Sequence, residues 1–255
     1  MISKLADPAL RIRWGEDANV EEHPYIAALL YRYKKTNIVG RFKCTCTILK
    51  PIWALTAAHC VSIEGKKKIY FFIGYGTKLP TKNYSTSDVI ETQKHPSFNK
   101  FNNDIALLKT EPIALSRYGK VSAADYTTLI GHAVLAFGYG IMQDGKNLSL
   151  AFKLGKPLQV TDMVIKKCAS VHNKRSVNFP SVCLSPKCGK VNIMCSGDSG
   201  GPLIHPSGIV AVLSFGIEIY CHEYFIPDEG EKLISSGSYM PVSPYIDWIS
   251  SIVKK

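Results

Sequence analysis

Short apolar runs recur along the whole chain, separated by clusters of glycine, proline, asparagine and lysine. Frequent short strand signals of this kind, with no helical pattern alternating between them, predict an all-β barrel or sandwich. The predicted strands are Tyr25–Tyr33, Phe42–Leu49, Ile69–Gly74, Ile105–Lys109, Ala133–Phe137, Ser181–Leu184, Ile209–Phe215 and Tyr239–Val242.

The C-terminal segment has the period of an amphipathic helix instead. Ser243 is suited to cap this helix and Pro244 to occupy its first position. We predict a helix over about 244–254 that docks on the second half of its own fold, although a partner-binding helix would have the same pattern. Its apolar face comprises Ile246, Ile249 and Val253, with Trp248 and Ile252 alongside.

Length, hydropathy and charge narrow the class of protein. The chain has 255 residues, of which 46% are apolar, enough for one large or two small cores. No run approaches the roughly 18 apolar residues of a membrane span. The net charge of +11 includes one compact basic run, Lys66–Lys68. We interpret this run as a solvated loop, because nucleic-acid binding would need a basic face interleaved with aromatic residues. A modest attraction to acidic substrates stays open.

Three short stretches contain the residue types of nucleophilic catalysis. They are LTAAHC around His59, NDIALL around Asp104 and GDSGGPL around Ser199. A serine hydroxyl is a weak nucleophile until an adjacent base takes its proton, and an imidazole has a pKa suited to that task. A buried carboxylate then holds the imidazole in one tautomer and stabilises its charged form.

These stretches, in the order His, Asp, Ser, resemble the trypsin/chymotrypsin-like serine endopeptidases, and the resemblance runs from about Arg11 to the C-terminus. It implies an all-β fold of two six-stranded antiparallel β-barrels packed face to face, with a C-terminal helix. The first barrel would span about 27–118 and the second about 124–242, with the active site in the cleft between them.

The same resemblance implies a role for each motif residue. Ser199 is the nucleophile, His59 the general base and acid, and Asp104 the group that orients the histidine. The backbone N–H groups of Gly197 and Ser199 form the oxyanion hole, because a glycine has no side chain to block the approach. The expected reaction is hydrolysis of peptide bonds through an acyl-enzyme, with no cofactor and no metal.

An activation cleavage is also implied by the resemblance. A trypsin-like protease would cut after Arg11, and the new α-amino group of Ile12 would insert and pair with Asp198. Residues 1–11 are then a propeptide remnant and 12–255 the peptidase domain. Members of the family usually carry a small apolar residue and a glycine after the isoleucine, whereas this chain has Arg13 and Trp14.

The expected substrate pocket is apolar at its base. Ile193 occupies the position six residues before Ser199, where an aspartate would select lysine or arginine. An apolar base leaves those side chains without a charge partner, so cleavage after aromatic or aliphatic residues is expected. Met194 could fill part of the pocket and favour smaller residues. The substrate-binding residues implied are Ile193, Met194, Ser214, Phe215, Gly216 and Gly237.

An insert beside this pocket leaves one alternative open. Fifteen residues lie between Cys221 and Gly237, four of them acidic. They form either an exposed loop or a cap that carries a carboxylate into the pocket.

Eight cysteines suggest an oxidising compartment. The resemblance implies disulfides between Cys44 and Cys60, Cys168 and Cys183, and Cys195 and Cys221. Cys46 and Cys188 have no partner in that pattern. They either pair with each other, pair between chains or remain buried thiols. A zinc site is disfavoured because no two Cys-x-x-Cys units occur.

We expect a secreted, monomeric protein. The first eight residues lack the apolar core of a leader, so the expectation is that a leader is missing from this sequence. Asn83 and Asn147 begin glycosylation sequons, which are usable only after secretion. The expected partners are protein or peptide substrates, the activating protease and protein inhibitors, with no nucleic acid and no membrane span.

A rival interpretation is a serine-protease homologue that acts as an extracellular binding cofactor or toxin with little turnover. Such homologues usually lose a residue of the triad. Here all three stand, with Gly197 and Asp198 beside them, so the sequence favours an enzyme.

Overall fold

The computed structural model describes residues 15–33, 41–62, 68–76, 84–99, 102–140, 157–168, 180–187, 194–216 and 237–254. Several predictions fall on other residues and lie outside this described part of the chain. They concern the propeptide remnant 1–11, Arg11 and Ile12, the sequons at Asn83 and Asn147, the pocket residue Ile193, and Cys188 and Cys221.

Thirteen strands make up about half of the described part of the chain, and every pairing between them is antiparallel. They are β1 (Glu16–Asp17), β2 (Ile26–Arg32), β3 (Arg41–Lys50), β4 (Trp53–Thr56), β5 (Tyr70–Tyr75), β6 (Ser85–Lys94), β7 (Ala106–Thr110), β8 (Ala133–Gly138), β9 (Gln159–Lys166), β10 (Val182–Pro186), β11 (Pro202–His205), β12 (Gly208–Gly216) and β13 (Gly237–Pro241).

The strands close into two barrels of six. The first follows the order β2-β3-β4-β7-β6-β5. The second follows the order β9-β10-β13-β12-β11-β8 and closes through the pairing of β8 with β9, while β1 adds to β9 from outside. The predicted fold class, two six-stranded antiparallel barrels with a C-terminal helix, is confirmed.

Hydrophobic pattern alone missed five of these strands: β1, β4, β6, β9 and β11. The case of β9 shows why. Its side chains alternate perfectly between buried and half-buried, but two of the buried ones, Gln159 and Thr161, are polar. A strand whose inward positions are partly polar has no apolar alternation to detect.

The C-terminal helix, α1 (Ile246–Val253), follows a single 3₁₀ turn over Ser243–Tyr245. The Ser243 hydroxyl does not cap it; this oxygen accepts the N–H of Tyr126 at 3.2 Å instead.

Helix α1 joins an apolar cluster that contains residues of both barrels, whereas the prediction named only the second half of the fold. Ile249 joins the apolar cluster that contains Ile48 and Trp53, and the Trp248 ring lies 5.1 Å from that of His95. A periodic sequence specifies which face of a helix is buried, but not which neighbour covers it.

The two barrels are held together by an apolar cluster of their own. It combines Ile26, Leu30 and Phe72 of the first barrel with Phe137 and Leu158 of the second half of the chain. Because this cluster is buried, loops at the barrel junction are held in a defined relative position. No helix in the described ranges is long and apolar enough to cross a membrane.

Candidate active site

The ring of His59 is held by one buried carboxylate. His59 lies on a 3₁₀ turn over Ala58–Val61, directly after β4. Its Nδ1 is 2.7 Å from Asp104 Oδ2, and its backbone N–H donates to Asp104 Oδ1 at 2.8 Å. The Asp104 side chain is fully buried, whereas that of His59 is 31% exposed. The carboxylate therefore orients the ring from inside, while the ring stays partly exposed.

A third hydrogen bond to the carboxylate comes from the second barrel. The Ser214 hydroxyl, on β12, donates to Asp104 Oδ2 at 2.6 Å. Three donors on one buried carboxylate compensate its loss of water. The sequence had indicated Ser214 only as part of the substrate strand, so this contact across the barrels was missed.

A left-handed residue directs Asp104 inward. Asn103 has φ of 53°, a conformation that asparagine tolerates better than most residues. Its Nδ2 donates to the Ser97 carbonyl at 2.9 Å, and its Oδ1 accepts the Tyr245 hydroxyl at 2.9 Å. The turn before β7 is therefore anchored on both sides, and the Asn-Asp pair of the motif has a structural reason.

The loop that carries Ser199 needs its glycines. Gly197 and Gly200 have φ of 95° and 80°, in the left-handed region. A Cβ on Gly197 would collide with the Phe42 ring, and one on Gly200 with the Thr45 carbonyl. The close approach of this loop to β3 thus explains both glycines.

Ser199 lies beside the histidine loop. Its carbonyl accepts the N–H of Thr45 at 2.9 Å, and the neighbouring Cys44 is bonded to Cys60, which follows His59. Within the described residues Ser199 Oγ has no hydrogen bond, and His59 Nε2 contacts Cys60 Sγ at 3.7 Å. Catalytic hydrogen bonds are often long in unliganded enzymes and shorten when substrate binds.

Asp198 is a second buried carboxylate next to Ser199. It is 0% exposed, and it accepts the N–H of Gly140 at 2.6 Å and that of Cys195 at 2.8 Å. Desolvation raises its pKa to about 7, although the two backbone hydrogen bonds oppose the shift. No cation pairs with it in the described part of the chain. A cation that arrived here would stabilise the ionised form.

The predicted pocket residues fall into two groups. Gly216 and Gly237 face each other across β12 and β13, and Phe215 is 44% exposed with its ring 6.5 Å from that of His59. Met194, in contrast, is fully buried in the core of the second barrel. Its side chain has no access to solvent in this structure.

Two of the implied disulfides are present, Cys44–Cys60 and Cys168–Cys183. Cys195 is also disulfide-bonded, to a cysteine outside the described residues. Cys46 is a buried free thiol whose Sγ lies 3.5 Å from the Ala27 carbonyl, and burial raises its pKa. Cys44, His59 and Cys60 bring three potential metal ligands together, but the two sulfurs are bonded to each other and are no thiolates.

The sequence matches the family described as Trypsin over residues 12–249. The chain belongs to the trypsin family. The fold and the His, Asp and Ser motifs of this trypsin-family chain agree with its membership.

This trypsin-family chain is similar to known serine proteases, and to one homolog, over most of its length. It is 26% identical over 246 residues to Snake venom serine protease KN6 of Trimeresurus stejnegeri, covering 94% of this chain and 86% of that one. It is 30% identical over 251 residues to Serine protease 1 of Drosophila melanogaster, covering 94% and 84%. A Snake venom serine protease homolog of Protobothrops jerdonii is 24% identical over 245 residues, covering 94% and 86%.

A solved structure has the same fold. The structure of neuropsin, a serine protease expressed in the limbic system of mouse brain, superposes with a TM-score of 0.69. The match covers 94% of this chain and 99% of neuropsin at 20% sequence identity.

Proposed function

We propose that this chain is a serine endopeptidase that hydrolyses peptide bonds through an acyl-enzyme. The observation that carries the proposal is the pairing of His59 with the buried Asp104, at 2.7 Å from Nδ1 to Oδ2. This pairing would hold the ring proton on Nδ1 and leave Nε2, which lies 3.7 Å from Cys60 Sγ, as the basic nitrogen. Family membership supports the same activity.

The proposed reaction has two halves. Ser199 Oγ attacks the substrate carbonyl while His59 Nε2 takes its proton, and Asp104 stabilises the charged ring. The N–H groups of Gly197 and Ser199 bind the oxyanion. Collapse breaks the C–N bond, and His59 gives its proton to the leaving amine. Water then attacks the acyl-enzyme in the same way, with His59 as base, and releases the acid and free Ser199.

The proposed activation is cleavage after Arg11, which would make residues 12–255 the mature peptidase. The α-ammonium of Ile12 would pair with Asp198, whose burial raises its pKa to about 7. A buried carboxylate of this kind is costly to ionise alone, so an inserted cation would stabilise the loop that carries Gly197. Arg13 would have to stay at the surface as Ile12 enters.

The first test is labelling with a fluorophosphonate, which reacts with activated serines. The chain is labelled before and after treatment with immobilised trypsin. We expect labelling only after cleavage at Arg11, because the oxyanion loop is completed by the new ammonium. Arg11→Gln, which blocks that cleavage, and Ser199→Ala are the controls, and both should remain unlabelled.

Each other outcome of the labelling has a distinct meaning. If Arg11→Gln is labelled as strongly as the cleaved parent, the activation step is rejected and the proposed enzymatic activity is retained. Labelling of Ser199→Ala would reject the nucleophile. No labelling of the cleaved, folded chain would favour the rival function, a catalytically weak homologue that acts as an extracellular binding cofactor or toxin.

We infer a preference for aromatic or aliphatic residues before the scissile bond. The inference rests on the family resemblance, which assigns Ile193, six residues before Ser199, to the base of the substrate pocket. We expect Ile193→Asp to shift cleavage toward lysine and arginine, because the carboxylate supplies a charge partner. A peptide-library profile measures the shift. Ile130→Asp is the control, since this isoleucine is 49% exposed and lies outside the proposed pocket. An unchanged profile for Ile193→Asp would contradict the assignment of Ile193 to the pocket base.

The setting that fits these proposals is extracellular. Disulfides persist in oxidising compartments, and venom proteases occur among the named relatives. The proposed partners are protein substrates, a trypsin-like activator and protein inhibitors, and the proposed state is a monomer. Glycosylation at Asn83 and Asn147 would accompany secretion.

A further inference from the structure

A buried threonine connects the first barrel to the oxyanion loop. Thr45 lies on β3 and is 0% exposed. Its hydroxyl donates to the Gly197 carbonyl at 3.0 Å and accepts the N–H of Tyr139 at 3.0 Å. Its own N–H donates to the Ser199 carbonyl at 2.9 Å. One residue thus contacts the backbone of both residues whose N–H groups would form the oxyanion hole.

The hydroxyl acts where the backbone is least constrained. Gly197 has φ of 95°, and glycine populates several such conformations at similar energy. A hydrogen bond to its carbonyl fixes the peptide plane between Gly197 and Asp198. That constraint also limits how the preceding N–H can turn, because both peptide planes pivot on the same Cα.

The second hydrogen bond of the hydroxyl reaches the pocket of Asp198. Tyr139, whose N–H donates to Thr45, precedes Gly140, whose N–H donates to the Asp198 carboxylate at 2.6 Å. The Thr45 hydroxyl therefore lies between the two backbone segments that enclose this carboxylate. Its donor and acceptor capacity are both used, so its rotation is fixed.

We propose that Thr45 is a positioning residue of the oxyanion hole. Its hydroxyl holds the Gly197 carbonyl against β3 and so aims the N–H of Gly197 at the developing oxyanion. Thr45 itself does not touch the substrate. The inference rests on the proposed endopeptidase function and adds a residue that the His, Asp and Ser motifs do not include.

A purely structural role predicts something different. A buried hydroxyl that only satisfies its neighbours would lower stability when removed and leave the rate of chemistry unchanged. Ser87 is a control of that kind. It is 5% exposed on β6, and its hydroxyl donates to the Glu111 carbonyl at 2.7 Å without a hydrogen bond to the oxyanion loop.

The test compares Thr45→Val, Thr45→Ser and Ser87→Ala in the activated chain. Valine keeps the shape and removes the hydroxyl, whereas serine keeps the hydroxyl. For Thr45→Val we expect kcat to fall about tenfold to a hundredfold with KM unchanged, since a small misplacement of a catalytic group costs this much. Binding of a peptide aldehyde, which forms a tetrahedral oxyanion adduct, should weaken by the same factor as kcat/KM. Thr45→Ser should recover most of the rate.

Ser87→Ala provides the decisive contrast. It should melt at a lower temperature, as Thr45→Val does, yet keep a kcat close to that of the parent. Equal losses of kcat in Thr45→Val and Ser87→Ala, or a parental kcat in Thr45→Val, would overturn the proposal. If Thr45→Val does not fold, Thr45→Ala against Thr45→Ser makes the same comparison.

Hydrogen exchange separates this inference from the proposed function. In the Ser199→Ala chain, Thr45→Val should speed amide exchange over residues 196–200 more than Ser87→Ala does. Absence of turnover in the parent would reject the endopeptidase function, and the exchange result would still decide the role of Thr45. Equal exchange in Thr45→Val and Ser87→Ala would reject that role.

Discussion

Replacing Ser199 with alanine is expected to lower kcat of the activated chain about a millionfold. The change removes the atom that, in the proposed mechanism, bonds to the substrate carbonyl, and water cannot be held in its place with the same geometry. KM should change little, because the substrate strand and pocket remain. Hydrolysis of a chromogenic peptide, followed with concentrated enzyme, measures the loss.

Two comparisons make this result specific. The control Ser207→Ala alters an exposed serine at the turn between β11 and β12, away from His59, and should keep the parental rate. Adding His59→Ala to Ser199→Ala should cost little more, since the residues of a triad act as a unit. Parental turnover by Ser199→Ala would mean that another group is the nucleophile.

Asp104→Asn should lower kcat about ten-thousandfold, as expected for the carboxylate of a Ser-His-Asp triad. The reason follows from the hydrogen bonds. Asp104 Oδ1 accepts the backbone N–H of His59 and Oδ2 faces Nδ1 of the ring. Asparagine has only one acceptor oxygen, and the backbone N–H requires it. The amide N–H₂ then faces Nδ1 as a donor, and the ring proton moves to Nε2, where the base is needed.

The matched control is Asp125→Asn. Asp125 is an aspartate whose carboxylate accepts the N–H of Thr127 at 2.9 Å in an exposed turn. Asparagine makes the same bond, so neither stability nor kcat should change. The measurement is kcat against pH for both variants beside the parent. A parental profile for Asp104→Asn would show that the carboxylate does not set the tautomer of His59.

Local motifs predicted the candidate site residues. His59, Asp104 and Ser199 each lie in a short stretch with a recognisable pattern, such as the glycines around Ser199, whose left-handed φ values favour glycine. A backbone requirement of this kind fixes the residue type at neighbouring positions, so it leaves a signature in the sequence. The barrel architecture likewise followed from the resemblance and from eight apolar strands.

Other features depended on residues far apart in the chain. Ser214 reaches Asp104 across a separation of 110 residues, and Thr45 reaches Gly197 across 152. No spacing or periodicity reports such a contact, because serine and threonine are common on strands and their hydroxyls bond equally well to water. Strand β9 was hidden for a related reason, since its buried polar side chains are satisfied only by the folded surroundings.

The amino-acid order therefore determined the two barrels, the candidate triad and the glycines of the nucleophile loop. Only the tertiary structure decided what holds them: Ser214 and Thr45 joining the two halves, and α1 joining an apolar cluster of both barrels. The physical difference is range. Backbone conformation and alternation are properties of neighbouring residues, whereas a hydrogen bond across two barrels exists only after both have folded and packed.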